Sequence, residues 1–415
     1  MPIAATRLQA RADQNLREQL LSERDVQKAI AKVQEDHSGF GFYSRRRLLT
    51  GALRLTRSMS PEVADAVGSC REILGWTKPV EMFVRPDPYL NASCMKSPSG
   101  PAIIVLSSRL LEVFSPAELK FVIGHELGHI VFDHFAIPMP LTATIEDMAG
   151  TLVARAKVLK LYMWCRAAEI SADRAGLVCA GDSEAAASGF FKLASGLASP
   201  RVKSDLEAYA KQVDALVAAP SARSVPRDDD DTLDAFSTHP YSPLRVRAVV
   251  AFSKSKTYRE AVGGAQQGDI SDEDVEAVVE RDLSMMDPSY LEEKTVVSEL
   301  MRRILYCGGV MVAAANGEIT KSEVDSLKAL LGTEQMYGTV DPVAASKELD
   351  KKLEEAKTAP LGMRALLVQH LTIIAAADGL IEPVEIAVIE RIAERLGVGP
   401  YLIDQAIHAS ASPMD

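Results

Sequence analysis

The 415-residue chain has only five cysteines, Cys70, Cys94, Cys165, Cys179 and Cys307, and no CxxC pair among them. An odd, scattered set leaves no disulfide framework and points to a reducing compartment. There is no GxSxG elbow, and no cysteine has a base partner nearby in sequence, so a covalent acyl intermediate has no obvious carrier. No run of about 20 apolar residues exists, which excludes a membrane-spanning helix. Basic residues are in deficit, 46 against 57 acidic for a net charge of −11, with no clustered basic and aromatic surface. Nucleic acid is therefore not expected as a partner. Ser44-Arg45-Arg46-Arg47-Leu48-Leu49 imitates a twin-arginine export signal, but it lies deep in the chain and Arg54 and Arg57 interrupt its apolar core, so it reads as a basic amphipathic helix. A hydrophobic content of 47% is enough to bury two or three domain cores.

What the chain does contain is His125-Glu126-Leu127-Gly128-His129. On a helix, positions four apart share a face, so the two imidazoles can reach one cation. Glu126 stands about 100° round from His125, placed to hydrogen-bond a water rather than to ligate. Ser115-Pro116-Ala117-Glu118 opens that helix as a capping box with proline at its first position. Apolar Leu119, Val122, Ile123, Leu127, Ile130 and Val131 follow at helical spacing. Gly124 and Gly128 each cost the helix about 1 kcal/mol relative to alanine. Close approach of another backbone beside the histidines is the expected compensation.

Catalytic zinc usually takes three protein ligands and keeps one position for water. Glu169, 40 residues past His129 in Arg166-Ala167-Ala168-Glu169-Ile170-Ser171-Ala172-Asp173, is the best third ligand. Asp173, one turn on, is placed to accept from the free ring N–H of a ligand histidine and fix its tautomer.

These motifs resemble the HtpX and CAAX-prenyl-protease type of gluzincin metallopeptidase, over about Leu48 to Tyr258. Glu169 to Asp173 resembles the family's ExxxAD-like helix, and Asn91-Ala92-Ser93-Cys94 its Asn-Ala turn. Ser237-Thr238-His239-Pro240 with Arg245 resembles its His-Pro…Arg element. The resemblance implies one Zn2+ ion and a polypeptide substrate hydrolysed by water, with Glu126 as general base. It also implies that Ala102, Ile103, Ile104 and Val105 form an edge strand pairing with extended substrate. His239 then has two roles open to it, oxyanion donor or resting-state zinc ligand, besides that of a surface-loop residue. Arg245 either pairs with an active-site carboxylate or caps local structure. Membrane members of the family carry spans where this chain has Leu141 to Cys165. Here that stretch holds Glu146, Asp147, Arg155, Lys157 and Lys160, so a cytoplasmic enzyme is expected.

The expected fold is α+β and mostly helical, with a small sheet and the HExxH helix in the peptidase domain and an all-α C-terminal domain. The expected boundaries are 1–41 for a polar helical segment ended by Gly39 and Gly41, 42–262 for the peptidase domain, 263–295 for an acidic linker and 296–415 for the last domain. The N-terminal segment packs on the protease, pairs with a partner or acts as a lid. Within the peptidase domain, Asp228 to Asp231 belong to an exposed acidic loop before His239.

A weak internal repeat runs through residues 297–409. Ala314-Ala315-Asn316-Gly317-Glu318-Ile319 with Glu323 parallels Ala376-Ala377-Asp378-Gly379-Leu380-Ile381 with Glu385. It resembles the TerB-like (tellurite-resistance) helical domain, which implies a sensing or docking module with its own partner or ligand. Asp378, Glu382 and Glu385 form a possible secondary cation site, although carboxylates in a first helical turn also serve as caps. Two further functions stay open: a client-binding protein that keeps the peptidase fold without cutting, and a stress sensor in which the TerB-like half is the primary module.

Overall fold

Among the described residues, alternating and continuous apolar runs make four short strands, and the 3.6-residue repeat makes most of the rest helical. The computed structural model describes residues 5–24, 26–28, 30–31, 40–96, 100–137, 155–198, 205–214, 239–264, 269–284, 286, 289–291, 295–317, 319–331, 341–359, 361–375, 377 and 381–398. These divide into two units, the first drawn from Met1–Met139, Trp164–Ala218 and His239–Leu283, the second from Pro140–Met163, Ala219–Thr238 and Ser284–Asp415.

In chain order the first unit holds α1 (Arg11–Ser22), α2 (Phe40–Gly51), β1 (Leu53–Leu55), α3 (Pro61–Ile73), β2 (Val80–Arg85), β3 (Ala92–Lys96) and β4 (Ala102–Ser107). There follow α4 (Ser108–Val113), α5 (Pro116–Val131), α6 (Arg155–Ala180, from Trp164 onward in this unit), α7 (Ser183–Ser195) and α8 (Leu206–Ala210). The unit ends with α9 (Ser242–Ser253), α10 (Lys256–Ala261) and α11 (Asp272–Leu283). No described helix is long and apolar enough to cross a membrane; residues 141–154 of the stretch weighed above lie outside the described set.

The sheet order is β1-β2-β4-β3. β4 pairs parallel with β2 and antiparallel with β3, so both of its hydrogen-bonding edges are taken. This corrects the expectation for Ala102, Ile103, Ile104 and Val105: they lie in an internal, fully buried strand and cannot accept a substrate backbone. β3, shorter and only half-buried, is the terminal strand on that side, with β4 its one partner among the described strands.

The N-terminal segment packs on the peptidase unit, with Leu8, Ala10, Asp13 and Leu20 buried. α1 ends at Ser22, helix resumes at Arg24 and is described as far as residue 31, and Gly39 lies outside the described residues, while Gly41 falls inside α2. The acidic stretch read as linker contains α11, whose Val275, Val279 and Leu283 are buried at i, i+4, i+8 spacing. Glu276 of α11 pairs with buried Arg174 of α6 at 2.7 Å, and Asp282 pairs with Arg247 of α9.

α5 begins as its sequence indicates. The Ser115 N–H donates to Glu118 Oε2 (2.6 Å), the Glu118 N–H to Ser115 Oγ (3.4 Å), and Pro116 occupies the first turn. Its glycines let α6 come into backbone contact. A Cβ on Gly124 would sit 2.5 Å from Cys179 Cβ and 3.0 Å from Gly176 Cα, and one on Gly128 would sit 2.8 Å from Ala175 Cβ. Gly68, in the middle of α3, has nothing within 4 Å of such a Cβ. Both sites gain about 1 kcal/mol of helix propensity on change to alanine, but only Gly124 must also overpack a core, at about 1–3 kcal/mol. Gly68→Ala is expected to raise the thermal unfolding midpoint and Gly124→Ala to lower it; a higher midpoint for both would mean that the α5–α6 contact yields at little cost.

Among its described residues the second unit is helical, with α12 (Val296–Ala313), α13 (Lys321–Leu331), α14 (Pro342–Glu355), α15 (Leu361–Ala375) and α16 (Pro383–Leu396) around Leu305, Val310, Leu367, Leu371, Ile374 and Ile392. The two halves of the internal repeat correspond to α12–α13 and α15–α16.

Candidate metal centre

α5 and α6 cross at their glycine and alanine contacts, and the crossing sets the imidazoles of one helix against the carboxylates of the other. His125 Nε2 lies 3.2 Å from His129 Nε2 and 3.6 Å from Glu169 Oε2, while His129 Nε2 lies 3.4 Å from Glu169 Oε1. Zinc bonds of about 2.0–2.1 Å in tetrahedral array put ligand atoms about 3.3 Å apart, so these three side chains fit one such ion. Glu169 Oε2 is buried and makes no hydrogen bond. Among the described residues this is the group of three or more His, Cys, Asp or Glu side chains that could hold a metal.

Each ring is held from behind. His125 Nδ1 is 2.9 Å from Asp173 Oδ1. Arg245, in the first turn of α9, donates to both Asp173 oxygens at 2.8 and 2.6 Å and sits 3.1 Å from Glu169 Oε2. Arg245 is thus the partner of two buried carboxylates, Glu169 and Asp173. His239 Nε2 lies 3.5 Å from Glu169 Oε1, and the side chain is 62% exposed, which places it at the rim. Burial works against ionisation of Glu169, but His239, Arg245 and His129 outweigh it and hold the carboxyl well below its ordinary range. Asp173 is likewise lowered, with burial overcome by Arg245 and His125.

His129 is oriented by residues that the sequence motifs did not reveal. Its Nδ1 is 2.8 Å from Nδ1 of His134, whose Nε2 is 3.0 Å from Asp13 Oδ2. Burial holds the His134 ring below its ordinary pKa, against the opposing pull of Asp13. His134 follows His129 by only five residues, but it lies past the end of α5 and off the helical repeat that marked His125 and His129.

Glu126 is buried on α5. The half-buried Cys94 of β3 lies against it; burial and the Glu126 charge push that thiol well above its ordinary pKa, so it is no thiolate nucleophile. The secondary cation site gains no such geometry. Glu385 Oε2 accepts the Glu382 N–H at 2.7 Å, a capping contact repeated at Thr320 and Glu323 (2.8 Å), while Asp378 and the run Asp228 to Asp231 lie outside the described residues.

Residues 62–253 match peptidase family M48. The chain is 30% identical over 204 residues to plastoglobule-localized metallopeptidase 48, chloroplastic, of Arabidopsis thaliana, covering 47% of this chain and 58% of that one. It is 31% identical over 91 residues to a protease HtpX homolog of Tropheryma whipplei, covering 21% and 31%. A protease HtpX homolog 2 of Methanosarcina mazei is 25% identical over 237 residues, covering 49% and 78%. The chain thus spans less than two thirds of the length of the first two of these relatives. No solved structure matches. The matched segment contains His125, Glu126, His129, Glu169, Asp173, His239 and Arg245, and with them this chain carries a peptidase family M48 domain at residues 62–253.

Proposed function

We propose that the chain is a zinc-dependent endopeptidase in which Glu126 is the general base. The observation that carries this reading is the convergence of His125, His129 and Glu169 at tetrahedral ligand spacing, with Glu126 on the same helix. A zinc ion held there would supply the positive charge that polarises a scissile carbonyl and acidifies water. Glu126 takes the proton from the attacking water and returns it to the leaving amine, so the reaction is net-neutral in protons. β3 receives the extended substrate along its outer edge, which replaces the role first given to β4, and Cys94 on that strand sets the scissile bond beside Glu126. His239, exposed at the rim, donates to the oxyanion as it forms.

Polypeptide is the substrate class that this chemistry and the names of the related metallopeptidase and proteases support. All five cysteines are free, four of them buried, which supports a reducing, cytoplasmic setting. The helical second unit, with its repeated helix pair, supports the TerB-like reading of a docking or sensing module that regulates cleavage.

The test is zinc content alongside cleavage of an unfolded protein such as casein. We expect one zinc per chain, with cleavage lost on chelation and regained when zinc is restored. Casein left intact by fully zinc-loaded protein would favour a client-binding protein instead.

A further inference from the structure

Asp13 comes from a helix outside the matched segment, yet it lies at the end of the contact chain behind His129. Its carboxylate has no exposed surface and faces four donors. His134 Nε2 (3.0 Å), Ser171 Oγ (2.7 Å) and Gln9 Nε2 (2.9 Å) meet Oδ2, and Trp164 Nε1 (2.9 Å) meets Oδ1. The turn that returns His134 to this position is itself held by α1. Asp133, immediately before His134, adopts the left-handed conformation at φ 58°, which is costly for most residues and tolerated by aspartate. Arg17 of α1 lies 3.7 Å from its carboxylate, and Lys96 of β3 pairs with the other oxygen.

An ionised carboxylate only accepts hydrogen bonds, so the proton of His134 must sit on Nε2, facing Asp13. With that hydrogen committed to Asp13, Nδ1 of His134 is the ring atom left to accept from His129. Two Nδ1 atoms 2.8 Å apart can bond only if one of them carries the hydrogen, and here that one must be His129. Its Nε2, 3.2 Å from His125 Nε2 and 3.4 Å from Glu169 Oε1, is left unprotonated and free to ligate. Without the Asp13 charge the alternating pattern can run the other way. His134 would donate from Nδ1, and the proton of His129 would move to Nε2, blocking the metal position.

We infer that Asp13 is a positioning residue of the metal centre, acting through His134 to fix His129 in the tautomer whose Nε2 is free for metal. The inference rests on the metal-site reading above. It makes the N-terminal helix part of the active site, so that one ligand histidine is oriented directly by a carboxylate, Asp173, and the other through a relay.

The experiment pairs zinc affinity, measured by competition with a chromophoric chelator, with long-range 1H–15N spectra of the metal-free protein labelled at histidine. Wild type should show His129 protonated at Nδ1. Asp13→Asn should weaken zinc binding about 10–100-fold and move the His129 proton toward Nε2. Leu20→Ala, which loosens the packing of the same helix without touching the relay, should lower stability and leave both readouts in place. Equal zinc affinity in wild type and Asp13→Asn would overturn the inference while leaving the metal site standing. So would a wild-type His129 protonated at Nε2, a result that needs no variant to fold. Wild type that takes up no zinc would overturn the metal site itself, and this inference with it.

Discussion

Glu126→Gln is expected to reduce casein cleavage about 10²–10⁴-fold, the usual contribution of a positioned general base, with zinc content unchanged. Glutamine keeps the shape and most of the hydrogen bonding of glutamate but has no site to hold a proton taken from water. Metal should be retained because the group that can hold it is His125, His129 and Glu169, to which Glu126 contributes no atom. Glu169→Ala is expected to fail at an earlier step: it removes one of the three side chains that could hold the metal, and the purified protein should carry little zinc. Measuring metal and turnover on the same samples separates the two. Cleavage by Glu126→Gln at a tenth of the wild-type rate would remove Glu126 from the proton-transfer role, and full zinc occupancy in Glu169→Ala would remove Glu169 from the ligand set.

What the sequence revealed of this site was what repeats with the helix. His125 and His129, the capping box of α5, its glycines, and Glu169 with Asp173 all stand at spacings that a helix converts directly into geometry. The glycines also anticipated their own reason, the contact with Cys179 and Ala175 of α6. Asp13 and His134 were not legible for the opposite cause. His134 reaches His129 through a left-handed turn at Asp133, and Asp13 comes from 121 residues before His134, so no periodicity links them.

Two misreadings had signals that pointed the other way. Ala102 to Leu106 is continuously apolar, the mark of a strand buried on both faces rather than of an edge, whereas Ser93 and Lys96 give β3 the polar character of an edge strand. In the acidic stretch, Val275, Val279 and Leu283 already marked a packed helical face among the carboxylates.

Asp173→Ala is expected to damage both stability and metal binding, and the two effects can be pulled apart. Asp173 is fully buried and accepts from His125 and, at both oxygens, from Arg245. Its removal leaves the half-buried guanidinium with Glu169 as its nearest carboxylate, 3.1 Å away, and breaking a largely buried pair in this way costs up to about 3–5 kcal/mol. Arg245 would then compete with the metal for Glu169. At the same time His125 loses the acceptor that fixes its ring, which typically weakens metal binding 10–100-fold. Adding Arg245→Met to Asp173→Ala removes the stranded cation, so part of the lost stability should return in urea unfolding. Zinc affinity should stay low, because His125 still has no partner at Nδ1. Recovery of stability and affinity together in the double variant would show that Asp173 serves only to neutralise Arg245. Recovery of neither would show that the Asp173–Arg245 pair contributes through packing rather than charge.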